Sequence, residues 1–201
     1  MVKPVHELKV KIFADGAEIQ TMIDLASQSV IKGFTTNPTL MRKAGVTDYV
    51  GFAKLVLGTI KDKPISFEVF SDDFSEMERQ ARIINSWAEN VYVKIPITNT
   101  RGESSGELIK KLSSQGIKLN VTAVLTLPQV ETVSRVLDPK IPAIISVFAG
   151  RIADTGVDPM PIMKKAKEIL LPYPKLELLW ASSRELLNIY QAEEIGADII
   201  T

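Results

Sequence analysis

Lys94 is the residue whose surroundings most call for a chemical explanation. It stands in VYVKIPIT, between Val93 and Ile95, inside an otherwise apolar run. An ammonium in such a place is costly, and desolvation favours the neutral amine. The neutral amine is the form that attacks a carbonyl to make a Schiff base, and the form that holds pyridoxal phosphate. The competing reading is a lysine that snorkels to a rim or pairs structurally with a carboxylate. Two acids occupy similar runs: Asp15 closes KVKIFAD and Glu68 lies in ISFEVF. Imine formation, carbon–carbon cleavage and imine hydrolysis each need a proton moved, which such acids can do. Each can equally be an ion-pair partner of Lys94. Two carboxylates for one lysine leave one negative charge over, which points one of them toward proton handling.

A second set is neutral or basic. Asn120 and Thr122 lie in IKLNVTAV and Ser146 in IPAIISVFA. They can bind substrate hydroxyls or hold a water, or they can be satisfied polar groups of a core. Asn37 precedes Pro38 and can shape a turn. Arg151, Ser182 and Arg184 follow apolar runs. Two arginines can clamp a phosphate bidentately, especially near helix N-termini; ordinary surface ion pairs are the alternative.

The elements that must position these groups are legible from periodicity. Eight short apolar runs recur: KVKIFA near residue 9, IKGFTT at 31, ISFEVF at 65, VYVKIP at 91, IKLNVTAV at 117, IPAIISVFA at 141, LELLWAS at 176 and ADIIT at 197. They are rich in Val, Ile and Phe and bounded by turn residues, so they read as buried strands. Between them run single apolar stripes at helical spacing, such as Val46, Val50, Ala53, Leu57 and Ile60, or Phe74, Met77, Ala81, Ile84 and Ala88. Capping-box spacing marks helix starts at Asp73 with Glu76, Ser104 with Glu107, and Ser182 with Glu185; Gly116 and Gly196 mark helix ends.

Alternating strands and helices predict an α/β fold with a parallel sheet, and eight units predict a single (β/α)8 TIM barrel domain over residues 1–201. An open doubly wound sheet is the competitor, weakened because no GxGxxG follows the first strand. The sequence ends at Thr201, at its eighth strand, so the eighth helix is missing from it. Either the chain continues or another subunit covers the gap. Active sites of barrels sit at the C-terminal ends of the strands, where the polar residues above fall.

Composition narrows the function. The 201 residues include no cysteine, which excludes a thiol nucleophile, a cysteine zinc site and an iron–sulfur cluster. The one histidine, His6, precedes the first strand, is expected to be exposed and cannot form a two-histidine metal site. Lys and Arg total 24 against 24 Asp and Glu, so no global charge attracts nucleic acid or anionic membrane. No apolar run approaches the roughly 20 residues of a membrane span, and the N-terminus lacks a signal-peptide core, so a cytoplasmic protein is expected. Trp87 and Met77 read as core, Trp180 as core or pocket wall.

Taken together and in order, GFTTNPTLMRKAG, VKIPIT, LNVTAVLT, ISVFAGRI and LLWASSR resemble the transaldolase family, over nearly the whole chain. The length is similar to its short subfamily, which includes the fructose-6-phosphate aldolases. The resemblance implies that Lys94 forms an imine with a ketose phosphate and that Asp15 takes the proton from the hydroxyl beside the cleaved bond. It implies that Glu68 and Thr122 hold a proton-relaying water. Asn37, Asn120 and Ser146 would bind the dihydroxyacetone portion, and Arg151, Arg184 and Ser182 the phosphate. No metal or organic cofactor is implied; the partner is a sugar-phosphate substrate, and homo-oligomers are expected. In the aldolase branch the positions of Glu68 and Phe148 hold Gln and Tyr, so this pair implies transfer of a dihydroxyacetone unit between sugar phosphates such as fructose 6-phosphate or sedoheptulose 7-phosphate and an aldose phosphate. The alternatives are direct aldol cleavage and a non-catalytic sugar-phosphate-binding barrel. The chain departs from the family pattern at Gly16, Val147, Ala149 and Ser183, all at the expected pocket edge.

Overall fold

A computed structural model describes residues 3–201. A 3-10 turn, Val5–Glu7, precedes the first strand. Eight strands then follow: β1 (Lys11–Asp15), β2 (Ile31–Thr35), β3 (Ile65–Glu68), β4 (Val91–Pro96), β5 (Leu119–Val124), β6 (Ala143–Val147), β7 (Leu176–Trp180) and β8 (Ile199–Ile200). All eight lie within the runs named above. They form a closed barrel in sequence order, every neighbouring pair parallel, with β8 pairing back onto β1. The fold is a (β/α)8 barrel rather than an open sheet. The helices are α1 (Ile19–Ala26), α2 (Pro38–Lys43), α3 (Tyr49–Thr59), α4 (Phe74–Asn85), α5 (Gly106–Ser114), α6 (Leu127–Val136), α7 (Ala149–Asp154), α8 (Pro159–Leu170) and α9 (Leu187–Glu194). The β2–β3 and β6–β7 connections each carry two helices; the sequence reading treated each as one. Thr201 follows β8 and no helix follows it among the described residues. No helix there is long and apolar enough to cross a membrane.

Strand side chains alternate between two cores. Those pointing outward, including Ile65, Phe67, Val93, Val121 and Trp180, pack with the helices in one large cluster. Trp180 is 1% exposed, so it is core and not pocket wall. Trp87 packs edge-on against Phe67, with ring centroids 5.5 Å apart, as a core residue should. Those pointing inward, Phe13, Ile144, Leu179, Ala181 and Ile199 with Tyr92 and Phe148, fill the barrel. The Phe13 ring crosses the interior so closely that a Cβ on Gly33 would lie 2.5 Å from it, which explains a glycine in mid-strand. His6 is exposed as expected.

Helix starts are fixed by side-chain caps. Asp73 accepts from the Glu76 N–H as the spacing predicts, and Thr126 with Gln129 forms a full capping box. Two expected boxes are absent. Helix α5 begins after Ser105, which makes no side-chain cap; Ser104, one residue earlier in an antiparallel bridge with Thr98, accepts instead from Gly106 N at 3.2 Å. The segment after β7 does not start a helix at Ser182; Asn188 Oδ1 accepts from Arg184 N (2.8 Å) and Glu185 N (3.2 Å), and α9 starts only at Leu187. Gly116 and Gly196 end α5 and α9 with φ of +83° and +73°. Val50, placed in the α3 stripe, is exposed.

Candidate active site

Because strands show side chains to one face at every second residue, each barrel strand ends with an inward pair. Phe13 and Asp15, Ser66 and Glu68, Tyr92 and Lys94, Asn120 and Thr122, and Ser146 and Phe148 are such pairs. The upper members, with Asp15, Glu68 and Lys94 among them, open into a cavity of about 640 Å³ at the C-terminal end of the barrel. Asn37, Thr122, Ser146, Phe148, Arg151, Ser182, Ser183 and Arg184 also line it. Of the ten residues singled out above, only Asn120 is not in the wall.

Lys94 is 9% exposed, and its Nζ sits 3.4 Å from Glu68 Oε2 while donating to the Thr36 carbonyl at 3.1 Å. Burial pushes the Glu68 carboxyl above its ordinary value, and the attraction of Lys94 only partly offsets this. Burial raises Asp15 in the same direction, against Lys94 and a hydrogen bond from Thr35. Asp15 nevertheless exposes a large share of its surface to the open cavity, and water there screens its charge. Glu68 is the more enclosed of the two acids. Behind it, Tyr49 on α3 donates to the Glu68 carbonyl at 2.9 Å and stacks edge-on with Phe70 at 4.6 Å, fixing the end of β3.

Beneath the cavity runs a chain of satisfied polar groups. Asn120 is fully buried; its amide donates to Ser66 Oγ (3.0 Å), and its Oδ1 accepts from Ser146 (2.6 Å). Asn120 thus orients Ser146, whose side chain reaches the cavity. Thr122 lies beside it with a buried hydroxyl that has no partner among the described residues. Such a group calls for a water or a substrate atom. The ladder between β5 and β6 shifts register between Val121 and Val124, and Ala123 there has φ of +59°. Asn37 caps α2, its Oδ1 accepting from Leu40 N at 2.9 Å, so it shapes the turn and faces the cavity at once.

The opposite wall carries the arginines. Arg184 forks onto Asp154 at 2.9 and 2.6 Å and donates to the Ser182 carbonyl at 3.0 Å. Arg151 is looser, 3.9 Å from the same Asp154. The two guanidiniums hold the Asp154 carboxyl below its ordinary value. Gly150 packs against this loop: a Cβ there would sit 1.6 Å from the Ser182 carbonyl oxygen. Ser182 has φ of +62°, and among the described residues only it and Ala123 are non-glycines with positive φ. Both strained points adjoin cavity residues, where such strain is characteristically kept.

The sequence reading missed Thr35, Thr36, Ser66, Gly150, Asp154 and Thr201. Period two would have found Ser66, two before Glu68; Asp154 stands three after Arg151 in RIAD. The two threonines were in plain view in GFTTNP.

A family model described as transaldolase/fructose-6-phosphate aldolase matches residues 12–201. The chain belongs to that family. It is a transaldolase-type enzyme, and aldolase-type chemistry on sugar phosphates is its class of activity. Among curated relatives, a "Probable transaldolase" of Dehalococcoides mccartyi is 34% identical over 193 residues, 96% of this chain and 86% of the relative. A "Probable transaldolase 2" of Listeria monocytogenes is 35% identical over 196 residues, 96% of this chain and 84% of the relative. A crystal structure of dihydrodipicolinate synthase from Rhodopseudomonas palustris superposes with a TM-score of 0.54, covering 96% of this chain and 69% of that one, at 14% identity. That likeness is one of fold.

Proposed function

We propose that this transaldolase-family chain moves a dihydroxyacetone unit from a ketose phosphate to an aldose phosphate through a Schiff base on Lys94. The observation that carries this is the placement of one buried amine within reach of a carboxylic acid, at the floor of a cavity whose far wall is cationic. The amine adds to the ketose carbonyl, and that oxygen leaves as water after Glu68 protonates it, with Thr122 holding the water. Asp15 takes the proton from the hydroxyl beside the bond to be cleaved. The carbon–carbon bond breaks, its electron pair passes to the protonated imine, and the aldose phosphate departs. The enamine then attacks the acceptor aldehyde, the alkoxide regains a proton from Asp15, and water hydrolyses the imine. Asn37 and Ser146, the latter oriented by Asn120, bind the three-carbon unit. Arg151 and Arg184, with Ser182, hold the phosphate. No step calls for a metal or organic cofactor, since the protonated imine is the electron sink. Phe148 has no hydroxyl with which to hold a water in the cavity, which favours transfer over release of the three-carbon unit. Self-association, implied by the resemblance, and residence in the cytoplasm, expected from the sequence pattern, belong to this reading.

Borohydride with fructose 6-phosphate tests the proposal. A dihydroxyacetone-derived mass is expected on Lys94 and none on Lys94→Ala; no adduct on the wild-type chain overturns it. Donor alone separates transfer from cleavage, because steady release of glyceraldehyde 3-phosphate without an acceptor belongs to a direct aldolase.

A further inference from the structure

The roles above leave one pair of hydroxyls lining the cavity, Thr35 and Thr201, unused. Thr35 ends β2 as the register partner of Asp15 on β1. Its Oγ1 donates to Asp15 Oδ1 at 2.9 Å and lies 2.9 Å from Thr201 Oγ1, just past β8. Strand β1 lies between β2 and β8, so a relay runs from Thr201, just past β8, through Thr35 on β2 to the carboxylate on β1. Thr35 is 3% exposed, and all three side chains reach the cavity. A hydroxyl has one proton and can accept as well. With the Thr35 proton on Asp15, Thr201 is the donor within the threonine pair.

We propose that Thr35, backed by Thr201, is the positioning residue that holds Asp15 aimed and ionised as the base of the carbon–carbon step. The inference deepens the function proposed above and rests on Asp15 being that base. The charged groups facing Asp15 are Lys94 from β4 and Glu68 from β3; the first attracts its charge, the second opposes it when ionised, and each also acts on the other. Lys94 is consumed as a nucleophile, so its attraction changes during turnover. The hydroxyl from β2 does not. It donates a charge-assisted bond to the carboxylate, stronger than any it makes with the neutral acid, and so works against burial. Once Asp15 has taken the substrate proton, the Thr35 rotor can turn, accept from Asp15 and donate to Thr201. A backbone N–H can only donate, whereas a hydroxyl pair can donate to the carboxylate and accept from the acid.

The test uses Thr35→Val, which keeps the shape and loses the hydroxyl, and Thr35→Ser, which keeps the hydroxyl. Each is assayed for transfer across pH, with borohydride trapping alongside. The expected results for Thr35→Val are undiminished total adduct on Lys94, a kcat lower by roughly tenfold, and an acid limb of the pH profile moved upward. The trapped mass should shift from the dihydroxyacetone adduct toward that of the intact ketose, because imine formation survives while cleavage slows. Thr35→Ser should restore all three readouts. Thr201→Val, one bond further from the base, should move kcat and the acid limb the same way by less, and it carries the test should Thr35→Val not fold. A Thr35→Val enzyme with wild-type rate, pH profile and adduct mass overturns the inference, as does a Thr35→Ser enzyme that behaves like the valine variant. A wild-type chain that traps nothing overturns the Schiff-base reading instead.

Discussion

The two walls of the cavity hold charge in opposite ways. On the β1–β5 side, Asp15, Glu68 and Lys94 stand on strands, and burial pushes both acids upward toward protonation. On the β6–β7 side, Arg151, Arg184 and Asp154 stand on a short helix and a loop, solvent reaches them, and Asp154 is held down as a carboxylate. In the proposed reaction Asp15 and Glu68 gain and lose protons, and desolvation brings the charge states of these two acids closer in energy. In the same proposal the second presents a permanent cation to a phosphate, which needs no burial. A barrel supplies both because strand ends are enclosed by their neighbours while the connecting segments are wet.

The largest test of that contrast is Lys94→Ala. It should lower transfer by roughly 10⁴-fold or more, as loss of a covalent nucleophile does, with the folded barrel intact by circular dichroism. Substantial residual turnover would mean that the strand wall is not where the chemistry happens. Next, Arg151→Ala and Arg184→Ala should each raise KM for phosphorylated sugars by about 10–100-fold, a charged hydrogen bond or two, with kcat changed little and trapping by free dihydroxyacetone unaffected. An equal fall in kcat would erase the division of labour between the walls. Gly150→Ala should displace the Ser182 carbonyl and with it Arg184, raising KM about tenfold and destabilising the chain by about 1–3 kcal/mol in a denaturant titration.

The smallest effect sharpens the comparison most. Glu68 has its pKa raised in the fold, so the folded state binds its proton more tightly than the unfolded one. Stability from this group is therefore present at low pH and is lost as pH climbs from the ordinary value of 4.5 through the raised one. Glu68→Gln should then raise Tm at pH 7 by roughly 2–4 °C, what about 1 kcal/mol gives a chain of this length, while slowing transfer. Below the ordinary glutamate value the two proteins should melt together. An unchanged or lower Tm at pH 7 would show that the Lys94 pair stabilises the fold outright and that desolvation is not the dominant influence.

Much of the fold was legible because buried parallel strands leave a compositional mark. The run VYVKIP needs Val91, Val93 and Ile95 against the helices, so its one lysine stands out. The same alternation carried Glu68, Thr122 and Ser146. Helix boundaries were less legible where loops make their own hydrogen bonds: Ser104 and Ser182 have capping spacing, but Ser104 pairs with Thr98 in a bridge one residue ahead of the α5 cap, and the Asn188 side chain takes the Arg184 and Glu185 N–H groups ahead of α9. Asn120 shows the limit for site residues. Its position predicts an inward side chain, correctly, yet it is the Ser66 and Ser146 hydroxyls that hold it beneath the cavity, and those partners lie 54 and 26 residues away.

The eight strands in their order, the helical stripes between them, the amine in an apolar strand and the absence of thiol chemistry follow from the chain itself, since periodicity and composition are local properties. Which carboxylate presses against that amine, which arginine is already forked onto Asp154, and why residue 150 tolerates no side chain were decided only when the barrel closed. Closure brings together groups far apart in sequence at distances of a few ångströms, and hydrogen bonds, desolvation and steric exclusion act only at that range.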